Sequence, residues 1–229
     1  MFVAAGLVKK GFADGFVSMG SSGATMAAAT LLFGTIEGIE RGSIGGPVIG
    51  YSPEMVIIDL GSNVDTRPNQ LVDFAAISSE VSKIIFNKKN PKIGLLSIGS
   101  EKGKGNLLVK ETYDLLSKSS LNFIGNIEAN ELFNSKVDAV ICDGFVGNIV
   151  LKLIEGTVNK MLSWATESIN NHSISKLAKP MLFPVFQDIK KTFDYEEHGG
   201  APLLGVDGVV IKCHGSSNDK AIYLSLIHI

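Results

Sequence analysis

The stretch Met55-Val56-Ile57-Ile58-Asp59-Leu60-Gly61-Ser62-Asn63 decides the fold of this chain. Its first four residues are apolar and mostly β-branched, which predicts a strand buried on both faces. A polar turn follows, and residues 69–87 then repeat apolar side chains at helical spacing. Strand, glycine turn and helix, in this order, form the unit from which parallel sheets are built.

The same unit recurs along the chain. Further strands are predicted at 16–18, 92–98, 121–124, 137–142 and 209–212, and further helices at 24–33 and 107–118. This alternation predicts an α/β fold with a mostly parallel sheet and helices on both faces. A chain of 229 residues suffices for one such core, so we expect a single α/β domain over 1–229.

Polar, glycine-containing turns follow most of these strands. In open α/β sheets, ligands bind beyond the carboxyl ends of strands, where helix N-termini present their amide groups. We therefore expect the turns to share one site that binds an anion. Ordinary tight turns that need glycine for a positive φ are the alternative. The turns lie at 20–23, 59–65, 99–106, 143–148 and 214–218.

The region of about 149–193 differs from the rest because its pattern predicts a pair of long helices. One interpretation is a protruding helical pair that meets a membrane surface or a partner subunit. The other is a pair packed on its own sheet. Pro180 and Pro184 are expected to bend the second helix. The first helix is predicted to carry one apolar face, made of Val150, Leu153, Ile154, Val158, Met161, Leu162 and Ala165.

The composition excludes several classes of protein. A hydrophobic fraction of 45% with 19% charged residues is typical of a globular domain. A formal net charge of -2 gives no basic field for a nucleic-acid partner. Cys142 and Cys213 are isolated thiols that fit a reducing cytoplasm, and no cysteine or histidine spacing predicts a metal. With no signal peptide, and with residues 24–33 too short to span a bilayer, we expect a cytoplasmic protein.

Six signatures in a fixed order extend over nearly the whole chain, and together they are far more specific than one glycine motif. With them, the sequence resembles the bacterial phosphate:acyl-acyl-carrier-protein acyltransferases of phospholipid synthesis, the PlsX family. The signatures are Asp59-Leu60-Gly61-Ser62-Asn63-Val64-Asp65, the 99–106 loop, Asn122-Phe123-Ile124-Gly125-Asn126-Ile127-Glu128, Asp143-Gly144-Phe145-Val146-Gly147-Asn148, Gly199-Gly200-Ala201 and Lys212-Cys213-His214-Gly215-Ser216-Ser217.

The resemblance implies an activity and partners that the pattern of residues alone does not. It implies transfer of a fatty acyl group from acyl carrier protein to inorganic phosphate, with no redox cofactor. It implies a fold like those of phosphate acetyltransferases and isopropylmalate dehydrogenases, and a homodimer. The acyl-phosphate would serve a membrane glycerol-3-phosphate acyltransferase, with peripheral contact between a helical tip and the inner face of the membrane.

The resemblance also implies a segment upstream of this chain. Family members begin with a strand and a Gly-Gly loop, whereas residues 1–11 here match the helix just before the predicted strand at Phe16. We therefore expect an N-terminally truncated fragment. A non-catalytic fragment that binds acyl carrier protein or the membrane surface is the alternative function.

The implied reaction needs two anionic partners held in position and an oxyanion stabilised, more than it needs proton transfer. Lys104, with Asn106 at the start of the next helix, is the candidate phosphate ligand. His214 is the candidate donor to the thioester oxygen or to the departing thiolate. Glu101 would either tether Lys104 or take part in proton transfer.

Other residues are candidates for shaping the cleft and binding substrate. Helix caps and Asx turns are the alternative roles for the Asn and Asp side chains among them. Cys142 is expected to be a buried strand residue rather than a nucleophile. The candidates are Asn63, Asp65, Asp143, Gly144, Asn148, Gly199, Gly200, Ser216 and Ser217.

Two other enzyme classes lack support in the sequence. A nicotinamide-dependent oxidoreductase would need a GxGxxG turn after a strand, with an acidic residue downstream. A nucleoside triphosphatase would need GxxxxGK[ST], but Lys104 is followed by Gly105 and Asn106.

Overall fold

A computed structural model describes residues 1–47, 54–134, 136–171, 181–189, 192 and 199–227. Seven α-helices and a short 3-10 helix, Ala129–Phe133, accompany eight strands in that part of the chain. The helices are α1 (Phe2–Lys9), α2 (Ser22–Phe33), α3 (Pro68–Phe86), α4 (Leu107–Leu116), α5 (Gly144–Asn171), α6 (181–189) and α7 (Asp219–Ile227). The strands are β1 (Gly15–Ser18), β2 (Ser43–Gly46), β3 (Val56–Ile58), β4 (Ile93–Leu96), β5 (Phe123–Ile127), β6 (Ala139–Ile141), β7 (Ala201–Leu204) and β8 (Val209–Lys212).

The strands form one sheet in the order β1-β8-β7-β2-β3-β6-β4-β5. Pairing is parallel between β1 and β8, β3 and β6, β6 and β4, and β4 and β5. The α/β fold with a mostly parallel sheet is thereby confirmed, and every strand predicted from the sequence is present.

Two unpredicted strands, β2 and β7, lie in the middle of the sheet and reverse its direction. β2 is antiparallel to β3, β7 to β2, and β8 to β7. As a result, β8 and β1 run antiparallel to β3. The carboxyl ends of β3, β4, β5 and β6 lie at one edge of the sheet, which we call the β3 edge. The carboxyl ends of β1 and β8 lie at the opposite edge, the β8 edge.

Strand β2 has a sequence that does not predict a strand, because two of its four residues are glycine and only Ile44 is large and apolar. The structure gives a physical reason for Gly45. A Cβ at this position would lie 2.3 Å from Ile58 Cγ1 and 2.8 Å from the Ile57 carbonyl oxygen. Close approach of β2 to β3 therefore requires glycine there.

Helices cover both faces of the sheet, as predicted. Side chains of β3 alternate between two hydrophobic clusters, with Ile57 in one and Val56 and Ile58 in the other. Residues of α1, α2 and α5 belong to the first cluster, and residues of α3 and α4 to the second. The buried faces of α3 and α4 thus oppose those of α1, α2 and α5 across the sheet.

The predicted helical pair is confirmed in part. Helix α5 begins at Gly144, earlier than expected, and α6 supplies helical residues at 181–189, while 172–180, 190–191 and 193 lie outside the described residues. Among the residues that are described, none after Ile154 in α5 belongs to either core cluster. The second half of α5 therefore extends beyond the two cores.

The apolar face predicted for α5 needs a correction. Val150 and Ile154 pack against the core, but Leu153 is 66% exposed and Met161 is 60% exposed. Ile149, Leu153 and Trp164, all exposed, lie within roughly 60° of one another around the helix, at about 100° per residue. Helix α5 therefore carries a second face with exposed apolar side chains, which Lys160 interrupts between Leu153 and Trp164.

Candidate functional site

The candidate residues fall into two groups at opposite edges of the sheet. The two groups are also far apart across the sheet. His214 follows β8 and Lys104 follows β4, and these strands are five positions apart, which corresponds to roughly 24 Å. The expectation that all five glycine turns share one site is wrong, and the reversal through β2 and β7 is the reason. The β3 edge holds Asn63, Asp65, Glu101, Lys104, Asn106, Asp143, Gly144 and Asn148, and the β8 edge holds Gly199, Gly200, His214, Ser216 and Ser217.

A buried carboxylate that the sequence analysis overlooked organises the turn after β3. Asp59 is fully buried. Its Oδ1 accepts from the amides of Ile44 (3.3 Å), Gly61 (3.1 Å) and Ser62 (3.0 Å), and from Ser62 Oγ (2.6 Å). Its Oδ2 accepts from the Asn63 amide (2.7 Å) and from Asn63 Nδ2 (2.9 Å). Asp59 thus joins β2 to the turn through six donors.

The turn after β3 also packs against the start of α5. The Gly144 amide donates to the Asn63 carbonyl at 2.8 Å. A Cβ on Gly61 would lie 3.2 Å from Asn148 Cβ. The turn that contains Asn63 and the start of α5, which contains Asn148, are therefore in direct contact. The Asn63 side chain itself is buried and donates to the Gly42 carbonyl at 2.9 Å.

The 99–106 loop follows β4 at the same edge. Glu101 and Lys104 are exposed, and both pack over Gly99, whose Cβ would lie 3.0 Å from Glu101 Oε2 and from Lys104 Cγ. The Glu101 carbonyl accepts from Asn126 Nδ2 at 3.1 Å and from the Lys104 amide at 3.1 Å. The loop backbone is thereby fixed, while the two charged side chains face solvent.

Two of the candidates act as helix caps. Asn106 accepts from the Val109 amide at 2.9 Å at the start of α4, and Asp143 accepts from the Val146 amide at 2.8 Å at the start of α5. This is the alternative role that the sequence left open for such side chains. Asp65 is exposed in the same turn as Asn63.

Cys142 is a buried strand-end residue, as expected. Burial, followed by the charges of Asp143 and Asp59, raises the pKa of its thiol well above the usual range. A thiol that stays protonated is a poor nucleophile. The Cys142 side chain therefore fits a packing role in the core rather than the role of a nucleophile that holds the acyl group covalently.

At the β8 edge, His214 is exposed and held by its own turn. Its Nδ1 lies 2.7 Å from Ser216 Oγ and 3.3 Å from the Ser216 amide, and the Ser217 amide donates to the His214 carbonyl at 3.1 Å. A Cβ on Gly215 would lie 3.8 Å from the Met19 carbonyl, so the turns after β8 and β1 are neighbours. His214, Ser216 and Ser217 thus come together beside the 20–23 turn.

Gly199 and Gly200 serve close packing at the start of β7. A Cβ on Gly200 would lie 2.8 Å from Cys213 Sγ and 2.9 Å from the Lys212 carbonyl. Its amide donates to Ser225 Oγ of α7 at 2.7 Å. These glycines let α7 and β8 approach the main chain.

Two lysines beside His214 were not among the candidates. Lys212 ends β8 and is half-buried, and its ammonium group donates to the Cys213 carbonyl. Lys152, on α5, places its Nζ 3.5 Å from His214 Nε2. Lys212 belongs to the same sequence signature as His214, so the sequence could have identified it as a candidate. Lys152 approaches His214 only through a tertiary contact, which the sequence does not show.

The two edges offer different chemistry. The β3 edge offers main-chain turns and the start of α4 and α5, which suits the positioning of an anion. The β8 edge offers a histidine that can transfer a proton, next to two cations. No cluster of three or more His, Cys, Asp or Glu side chains suited to a metal occurs in the part of the chain that the structure describes.

Sequence comparison matches this chain to one family profile and to phosphate acyltransferases. The profile of the family described as "Fatty acid synthesis protein" matches residues 1–227. A phosphate acyltransferase of Clostridium acetobutylicum is 44% identical over 96% of this chain and 67% of its own length. A phosphate acyltransferase of Elusimicrobium minutum is 46% identical over 96% of this chain and 65% of its own length. The chain thus spans about two thirds of the length of these relatives.

Solved structures share the fold. A phosphotransacetylase from Streptococcus pyogenes matches 99% of this chain and 65% of its own, with a TM-score of 0.63 and 21% identity. A branched-chain phosphotransacylase from Enterococcus faecalis matches 99% of this chain and 76% of its own, with a TM-score of 0.56 and 14% identity. These structures show the fold, whereas the profile match and the sequence identity show the family: the chain belongs to the fatty acid synthesis protein family, the family of the phosphate acyltransferases that it resembles.

Proposed function

We propose that the protein transfers an acyl group from acyl carrier protein to inorganic phosphate, giving acyl-phosphate and free carrier for phospholipid synthesis. The observation that supports this most directly is the 44% to 46% identity to phosphate acyltransferases over nearly the whole chain. The β8 edge adds chemical support, because it joins a proton donor to two cations where an anionic reaction would need them.

The proposed step is a substitution at the thioester carbon. A phosphate oxygen attacks the carbonyl, the new C–O bond forms, and the C–S bond breaks to release the carrier thiolate. A free thiol has a pKa of roughly 8.5, so the leaving group gains from a nearby proton donor. His214 is the proposed donor, and Ser216 orients its ring through Nδ1.

Lys104 and Asn106 form an alternative phosphate site at the β3 edge, with Glu101 beside them. They cannot contact the same phosphate as His214 within one chain, because the two groups lie at opposite edges of the sheet. We assign the chemical step to the β8 edge and the turns of the β3 edge to binding of other substrate groups. Variants at the two edges test this assignment separately.

The test is phosphate-dependent release of free thiol from a long-chain acyl carrier protein. The chain is assayed beside the C. acetobutylicum relative, with Lys110→Ala as a control on an exposed α4 lysine. His214→Gln is expected to lower the rate by about 100-fold. A larger loss in Lys104→Ala than in His214→Gln would move the chemistry to the β3 edge. Carrier binding without thiol release, by a chain that is folded, would favour the non-catalytic binding fragment.

The uncovered face of α5 supports a further part of the proposal, a homodimer. Ile149, Leu153 and Trp164 form a strip of exposed apolar side chains, interrupted by Lys160, on a helix that already packs by its other face. Such a strip is typical of a surface that a second subunit covers. Peripheral contact with the inner face of a membrane, where a glycerol-3-phosphate acyltransferase would accept the product, is the companion proposal. Over the described ranges, no helix has the length and hydropathy needed to cross a bilayer.

A further inference from the structure

The 99–106 loop carries Glu101 and Lys104, and a side chain from outside the loop holds its main chain. Asn126, on β5, donates from Nδ2 to the Glu101 carbonyl at 3.1 Å, and the same carbonyl accepts from the Lys104 amide at 3.1 Å. Because a carbonyl only accepts, the nitrogen of the Asn126 amide is the atom that faces it. Asn126 therefore acts on the segment that places both charged side chains.

A β-bulge turns Asn126 toward this part of the molecule. Ile124 is an extra residue in β5, and Gly125 after it has a φ of 108°. Side chains alternate along a strand, so one extra residue reverses the side on which the following side chains lie. Asn126 thereby lies opposite Leu95, on the face of the sheet that α4 covers. Without the bulge, its amide would lie on the other face, away from the 99–106 loop that leads into α4.

The oxygen of the Asn126 amide shows that this residue contributes little to the stability of the fold. The side chain is only 6% exposed, yet its Oδ1 has no hydrogen-bond partner among the described residues. Ser97 Oγ, at the end of β4, is a second buried polar atom of this kind, and a Cβ on Gly105 of the loop would lie 3.1 Å from it. An unpaired buried acceptor is unfavourable, so an apolar side chain would suit the strand at least as well. The bond to the Glu101 carbonyl is what the amide adds.

We propose that Asn126 is a positioning residue, which holds the 99–106 loop so that Glu101 and Lys104 present their charges together at the β3 edge. The inference deepens the proposed function and rests on it, because that function assigns the turns of the β3 edge to the binding of substrate groups. Asn126 acts through the main chain of the loop and not by contact with the substrate.

Trypsin cleavage of the folded chain tests the position of the loop without any substrate. Trypsin cuts after lysine, and Lys102 and Lys104 lie in the loop, each followed by glycine. Asn126→Val removes the amide and keeps a residue that favours strands, and it should raise cleavage at these two sites about tenfold, as expected for one lost hydrogen bond. Cleavage after Lys118, an exposed lysine beyond the other end of α4, should not change. The midpoint of thermal unfolding should equal or exceed that of the parent.

Two further variants separate the loop from the general stability of β5. Asn126→Ala also removes the donor and needs less space, so it gives the same readout if Asn126→Val does not fold. Asn122→Val is the matched control: it removes an amide that donates to the Asn90 carbonyl at 3.0 Å, just before β5, and should leave cleavage of the loop unchanged. Cleavage that rises equally after Lys118, or that stays the same in the loop, would overturn the inference.

Thiol release gives the functional readout. Lys104→Ala and Asn126→Val should raise the KM of the same substrate, phosphate or acyl carrier protein, by about tenfold, with kcat changed less than about twofold. An effect of Asn126→Val on kcat alone, or on the KM of the other substrate, would contradict a positioning role through the loop. If the parent released no thiol while Asn126→Val still opened the loop, the proposed transferase would fail and the role of Asn126 in holding the loop would stand.

Discussion

At the scale of the residue, the Asp59 carboxylate makes the sharpest prediction. It is buried and accepts six hydrogen bonds, so Asp59→Asn would turn one acceptor into a donor that faces other donors. We expect a loss of about 3 kcal/mol in the free energy of unfolding. Urea denaturation measures it. Asp65→Asn, an exposed change in the same turn, should stay within about 0.5 kcal/mol of the parent, and equal losses in both variants would contradict the role of Asp59.

The two thiols give a second prediction. Cys142 and Cys213 are both buried, and burial raises the pKa of Cys142. Since only the thiolate reacts, a disulfide reagent should modify both at least about tenfold more slowly in the native protein than in urea. Absorbance of the released thiol follows the reaction. Fast modification of Cys142 in the folded protein would restore the possibility of an acyl-enzyme.

The sequence predicted the roles of some residues and not of others, because some roles depend on local spacing and others on tertiary contacts. Asn106 was placed correctly at the start of a helix, and capping was the alternative role left open for Asp143, because capping depends on local spacing. Asp59 was overlooked because its importance comes from donors on β2, which the chain brings back from 15 residues upstream. Lys152 reaches His214 across 62 residues, a contact that no local pattern contains.

At the scale of the element, two glycines of α5 should respond in opposite ways to the same change. A Cβ on Gly147 would lie 1.8 Å from the Asp59 carbonyl oxygen, whereas Gly156 has nothing within 4 Å. Gly147→Ala is expected to destabilise the protein by about 1–3 kcal/mol, because α5 must move away from the turn after β3. Gly156→Ala should stabilise it by about 0.5–1 kcal/mol through helix propensity.

Thermal unfolding of the two variants compares them directly. The parent should fall between them, with Gly147→Ala lowest. If Gly147→Ala were as stable as Gly156→Ala, the contact between α5 and the turn after β3 would not be as close as described.

The sequence predicts helices and buried parallel strands well because both follow local periodicity. Residues 69–87 were expected as a helix, and α3 covers Pro68–Phe86. Local periodicity did not predict strands β2 and β7. Their short sequences contain Gly45, Gly46 and Pro202, which disfavour strands, and their stability comes from neighbours on both sides.

At the scale of the whole molecule, the proposed homodimer gives the next prediction. Leu153→Lys places a charge in the uncovered strip of α5 and should convert a dimer to a monomer in sedimentation experiments. Asn159→Lys adds the same charge to an exposed position on another side of α5 and should leave the dimer intact. A monomeric parent, or a dimer that Leu153→Lys leaves intact, would contradict this use of the strip.

The general architecture followed from the sequence, but the position of the site did not. Alternating elements predict an α/β sheet, and the sheet has that form. Whether two strand-end turns meet depends on strand direction, and the short strands β2 and β7 set that direction here. His214 and Lys104 look equivalent along the chain, yet they lie at opposite edges of the folded sheet.

Trp164 gives the molecule an optical signal of its own. It is the only tryptophan in the sequence, it is 58% exposed on α5, and the ammonium group of Lys160 lies 5.5 Å from its ring centre. Its emission in the isolated chain should therefore be red-shifted and open to quenching by iodide. Whatever covers this helix, a second subunit or a lipid surface, will shift the emission to shorter wavelength without any label being added.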